Sequence, residues 1–124
     1  MPRILLIDDE EPLRTLLRTT LERAGYEVIE ASDGKIGLQL LAESSVDLVI
    51  TDLVMPEKEG LETILELRRQ NSSAKIIAIS GGGRMNPKVN LAMAEQFGAL
   101  CTLAKPFSQQ EILDAVAEAL GQRG

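Results

Sequence analysis

Five short apolar runs separated by helical patterns constrain this chain more than anything else in it. The runs are "RILLID" (3–8), "EVIEA" (27–31), "VDLVIT" (46–51), "KIIAIS" (75–80) and "ALCTLA" (99–104). Three of them are nearly continuous in apolar residues, which suits parallel strands covered on both faces. Leu13, Leu16, Leu17, Leu21 and Ala24 recur at i, i+3 and i+4, and so do Leu61, Ile64 and Leu65. Val89, Ala92, Met93 and Phe97 make a third stripe, and Ile112, Val116 and Leu120 a fourth. The helix around Ile36 to Leu41 is less cleanly patterned. This alternation predicts right-handed crossovers and a doubly wound α/β sheet.

Local punctuation agrees. Pro12 suits an early helical position, whereas Gly25 and Gly98 fall where helices should stop. Ser108 with Glu111 has the spacing of a capping box. At 124 residues, with no repeat, low-complexity tract or linker, the chain reads as one domain over 1–124 with no output domain.

Composition removes whole classes of function. There is no histidine, so histidine general bases, Ser–His triads and histidine metal sites are excluded. Oxygen ligands remain, and with them Mg²⁺, Mn²⁺ or Ca²⁺. Three aromatic residues, Tyr26, Phe97 and Phe107, are too few for a platform that stacks bases, flavins or sugars. A net charge of −6 disfavours direct nucleic-acid binding. Cys101 is a single cysteine in an apolar run and reads as a buried thiol. No apolar run approaches a membrane span and "ILLI" is too short for a signal-peptide core, so the expected location is the cytoplasm, away from membranes.

In open α/β sheets, functional groups gather beyond the carboxyl ends of the strands. Strand one ends in Asp8-Asp9, strand three in Thr51-Asp52, strand four in Ser80 and strand five in Lys105. Strand two ends in the unremarkable Ala31-Ser32. Any one of the four could be a solvated loop residue, but a strand order of 2-1-3-4-5 would make all four neighbours. Adjacent carboxylates repel one another near a low-dielectric core unless a cation or donors compensate. Three carboxylates can hold one hard divalent cation, and a lysine and a hydroxyl facing them suit phosphoryl oxygens. Asp52, between the metal side and the lysine side, is the natural nucleophile.

"IDDEEPLR", "DLVITDLVMPEKEG", "IAISG" and "GALCTLAKPF" together resemble the receiver domain of two-component response regulators, over essentially the whole chain. The resemblance is chemotaxis-regulator-like and implies a flavodoxin-like (βα)5 three-layer sandwich with a parallel five-stranded sheet in order 2-1-3-4-5. It implies that Asp52 is the phosphoacceptor in a phosphorelay, charged from a sensor histidine kinase or a histidine phosphotransfer protein. By the same resemblance Asp9, Asp52 and the backbone carbonyl of Val54 ligate Mg²⁺ (or Mn²⁺), with Asp8 assisting. Ser80 and Lys105 hold the phosphoryl oxygens. The phosphorylated form then switches a face read by a downstream protein or output domain. Such a domain is a signalling element rather than an enzyme, catalysing only its own aspartyl phosphorylation and dephosphorylation.

Two places depart from the family pattern. The position three before the lysine commonly carries Tyr or Phe, which turns inward as the strand-four hydroxyl moves; here it is Thr102. The other is "SGGGRMNPK", Ser80 to Lys88, whose glycines suit a flexible switch segment. It fails as a Walker-type loop because Lys88 follows Pro87. Two rival readings stand beside this one. A receiver-like protein-binding module that works without phosphorylation would not need the intact acids, Ser80 and Lys105. An aspartate-nucleophile phosphohydrolase would usually carry a second acid where this chain has Val54.

Overall fold

The computed structural model describes residues 2–52, 65, 66, 69, 75–80, 101–104 and 107–121. Its elements are β1 (Arg3–Ile7), α1 (Glu11–Arg23), β2 (Glu27–Ala31), α2 (Gly34–Glu43), β3 (Leu48–Asp52), β4 (Ile76–Ser80), β5 (Cys101–Ala104) and a last helix, Gln109–Ala119. All five strands pair in parallel in the order β2-β1-β3-β4-β5, the order the sequence predicts. The helical stripe at Leu61 and Ile64, the stripe from Val89 to Phe97, Gly98 and residues 81–88 lie outside the described residues.

Alternation along the central strands builds two cores, one on each face of the sheet. Ile4, Leu6, Leu48, Ile50, Ile77 and Ile79 pack with Leu17 and Leu21 of α1 and with Ile112 and Val116 of the last helix. Leu5, Ile7, Val49, Ile76 and Ala78 form the other core, against which Leu38 and Leu41 of α2 are partly buried. Side chains that alternate across a strand can all be buried only when both faces are covered, so the near-continuous apolar runs are the signature of this three-layer arrangement.

One member of the expected α1 stripe falls elsewhere. Leu17 and Leu21 are buried, but Leu16 is 50% exposed. It lies about 100° around the helix from Leu17, while Thr20 occupies the core-facing position beside Leu21. Thr20 is buried because its hydroxyl donates to the Leu16 carbonyl (2.9 Å), which satisfies the group locally.

The helix ends follow the sequence punctuation. Gly25 takes φ +99°, a left-handed conformation that glycine adopts without a Cβ penalty. The Tyr26 N–H reaches the Leu21 carbonyl (3.1 Å) and the Gly25 N–H the Glu22 carbonyl (3.0 Å), the paired bonds of a Schellman stop. Asp33, which periodicity did not flag, accepts from the Ile36 N–H (2.8 Å) and starts α2. The Ser108 and Glu111 side chains each accept from the other's N–H, completing the expected capping box.

At Gly37, α2 comes close to the sheet. A Cβ there would stand 2.5 Å from Ile7 Cδ1 and 2.8 Å from Ile7 Cγ1. Ile7 is fully buried and has nowhere to retreat. Gly37→Val should therefore lower the unfolding free energy by about 1–3 kcal/mol through overpacking. Its helix-propensity gain of about half a kcal/mol only partly offsets this. Urea denaturation of the two proteins measures the difference, and equal midpoints would mean that the seam has slack.

Candidate functional site

Strand register brings the acids together. In the β1–β3 pairing Ile7 lies opposite Thr51, so the next residues, Asp8 and Asp52, emerge side by side beyond the last matched pair. Both are sealed in, each 1% exposed. Asp52 is the final residue of β3, one position beyond the expected end of that strand at Thr51.

Asp8 is held through its backbone and its side chain alike. Its N–H donates to the Ala31 carbonyl at the end of β2 (3.1 Å). Its own carbonyl accepts from Arg14 Nη1 (2.7 Å), and its Oδ1 accepts from the Glu10 N–H (2.8 Å). The last of these is an Asx-type turn, in which an aspartate carboxylate captures the backbone two residues on. It folds the chain back so that Glu10 joins Asp8 and Asp52, with carboxylate oxygens of all three within 4.8 Å of one another.

The sequence-derived residues divide accordingly. Asp8 and Asp52 are brought together as expected. Asp9 is exposed and stands outside this trio, while Glu10 takes the third place. Glu10 is a member that strand-end reasoning passed over, and the aspartate two residues before it was the available signal. Ser80 closes β4, and its predecessor Ile79 pairs with Asp52, so Ser80 ends its strand at the acidic end of the sheet. Thr102 lies within β5 opposite Ala78. Val54, Lys105 and the loop residues 81–88 lie outside the described residues.

Arg14 extends the site outward. Its Nε pairs with Glu30 Oε1 (3.3 Å), and the other oxygen of Glu30 receives Arg18 Nη1 (2.8 Å). Arg18 also bonds Glu22 within α1 (3.3 Å). The hydrogen bonds that Arg18 donates to Glu22, first, and to Glu30 raise its guanidinium above the ordinary arginine value. Three clustered carboxylates, two of them shut off from solvent, form an all-oxygen donor set that fits a hard divalent cation.

A doubly wound five-stranded sheet with acids gathered beyond β1 and β3 is the architecture of a phosphorelay receiver. The chain matches the response regulator receiver domain family over residues 4–117 and belongs to it. It is 33% identical to the chemotaxis protein CheY of Bacillus subtilis over 119 residues, covering 95% of this chain and 97% of that protein. It is 36% identical to the transcriptional regulatory protein CpxR of Klebsiella pneumoniae over 113 residues, which are 91% of this chain but 47% of that regulator. The chain thus spans about half the length of such full regulators. Among solved structures, a response regulator receiver domain protein from Clostridium thermocellum superposes with a TM-score of 0.89 at 31% identity, covering 98% and 96% of the two chains. The protein is accordingly a receiver domain of two-component phosphorelay signalling. Among the described residues, no helix is long and apolar enough to cross a membrane.

The carboxylate trio makes a direct prediction. Mg²⁺ should raise the melting temperature, with a gain of about 1.4 kcal/mol at ten times its dissociation constant. Asp8→Asn retains the Oδ1 acceptor of the turn and should fold normally, yet lose most of that gain. A native melting temperature indifferent to millimolar Mg²⁺ would remove the metal from this site.

Proposed function

We propose that Asp52 is the phosphoacceptor, charged from a phosphohistidine on a sensor kinase or phosphotransfer protein. The observation that carries this reading is its position. Asp52 ends a central strand, 1% exposed, with the Asp8 and Glu10 carboxylates close by. A carboxylate oxygen of Asp52 would attack phosphorus as the P–N bond to the donor imidazole breaks, and the imidazole would leave with the bonding pair. The absence of histidine from these 124 residues agrees, because the donor ring must then come from outside them.

Asp9, Asp52 and the Val54 carbonyl would hold Mg²⁺ (or Mn²⁺), with Asp8 assisting and Glu10, which lies with Asp8 and Asp52, a candidate for a further oxygen. Bound there, the ion would neutralise the carboxylates and the incoming phosphoryl oxygens. Ser80 and Lys105 would bind those oxygens. The low exposure of Asp52 would limit the access of water to the acyl phosphate. The only chemistry in this reading is phosphorylation and dephosphorylation of Asp52 itself. The output is a changed surface for a downstream protein or a linked domain. Membership in the receiver family and the intact acids favour this reading over a phosphorylation-independent module or a phosphohydrolase.

Incubation with a small-molecule phosphodonor should label the protein only when Mg²⁺ is present. The label should be base-labile, map to Asp52 and vanish in Asp52→Asn. Stable label on Ser80 would overturn the assignment.

The switch follows from Ser80 and Thr102. Thr102 lacks the volume of the usual aromatic ring, so coupling should run mainly through backbone movement of residues 80–88, with a smaller change around Thr102. Chemical-shift mapping with beryllofluoride and Mg²⁺ tests this. Strong shifts at Thr102 with residues 81–88 unmoved would contradict it.

A further inference from the structure

We propose that Arg14 is a positioning residue for the metal site, acting through the backbone carbonyl of Asp8; this rests on the phosphoacceptor reading above. Asp8 is the first residue beyond β1, where the ladder stops holding the chain. Its N–H still reaches the Ala31 carbonyl of β2. Arg14 Nη1 donates to the Asp8 carbonyl at 2.7 Å, a charge-assisted bond shorter than the 3.1 Å bond from the Asp8 N–H to Ala31.

Arg14 is itself fixed. Its backbone N–H bonds the Glu10 carbonyl (2.9 Å), which sets it one turn into α1, and its Nε pairs with Glu30 of β2. The side chain of Arg14 is 16% exposed and that of Glu30 is 27% exposed, so the fork is largely shielded from water. The Asp8 N–H and carbonyl are therefore both referred to β2, one directly through Ala31 and one through Glu30 and Arg14. The orientation of the Asp8 backbone decides where its Cβ and carboxylate aim. Only a planar guanidinium can serve Glu30 and the Asp8 carbonyl at once from adjacent nitrogens. Groups that orient a metal ligand in this way commonly change metal affinity by about 10–100-fold when removed.

The sign of the effect separates positioning from simple electrostatics. Arg14→Met deletes a positive charge near a cation site, so charge alone would tighten Mg²⁺ binding. Positioning demands the reverse, a dissociation constant about tenfold weaker. Arg14→Lys keeps the charge but offers a single point, and should also weaken binding; it carries the test if the methionine variant does not fold. Arg18→Met releases Glu30 from one partner without touching Asp8, and should stay within about twofold of the native value.

The measurement is calorimetric titration of each full chain with MgCl₂, without a phosphodonor. Weaker binding in both Arg14 variants and near-native binding in Arg18→Met would support the assignment. Unchanged or tighter binding in Arg14→Met or Arg14→Lys, or an equal loss in Arg18→Met, would overturn it while leaving the metal site standing. Native protein that fails to bind Mg²⁺ at all would instead overturn the reading of the site itself.

Discussion

The parallel register of β1 against β3 is the constraint on which the site depends. Side chains alternate in strict twos, so a slip of one residue would turn every core residue to the opposite face. Ile4 and Leu6 share one core with Leu48 and Ile50, while Leu5 and Ile7 share the other with Val49. Two different helical layers therefore hold the same register. Asp8 and Asp52 inherit their adjacency from it, each being the first residue past the pairing of Ile7 with Thr51. The hydrophobic cores set the spacing of the acids.

The rest of the site is built from local devices that turn the chain off the end of a strand. The Asx-type turn at Asp8 brings Glu10 back and leads straight into α1, where Pro12 needs no N–H partner in the first turn. The Schellman stop at Gly25 ends α1 in time for β2 to return along β1. That return places Glu30 within reach of Arg14 and Arg18. Gly37 then lets α2 settle onto Ile7, the residue immediately before the acids.

Much of this was legible in the sequence, because each part of it is a periodic or punctuated signal. Continuous apolar runs marked β1, β3 and β4, glycine marked the end of α1, and Ser108 with Glu111 marked the last helix. Asp8 and Asp52 were legible because strand ends are where open α/β sheets place chemistry. The remainder was hidden for physical reasons. The placement of Glu10 beside Asp8 and Asp52 depends on a turn closed by one side chain, and nothing in periodicity separates it from Asp9 or Glu11. Arg14 reads as an ordinary helix residue until the fold brings Glu30 and the Asp8 carbonyl to it from distant parts of the chain. Leu16 fits an i, i+3, i+4 stripe yet lies outside the core, because such a stripe is wider than the face a helix can bury.

β2 is the outermost strand on its side of the sheet, and two of its five residues are glutamates. Glu27 pairs with Arg3, and Glu30 with Arg14 and Arg18. An exposed strand edge is a template on which another chain can polymerise, and charged side chains are a common defence against it. A second molecule laid along β2 would have to strip water from these ion pairs and bring like-charged carboxylates together. The same Glu30 that pairs with Arg14 and Arg18 thus also places charge along the outer strand, where it opposes growth of the sheet beyond β2.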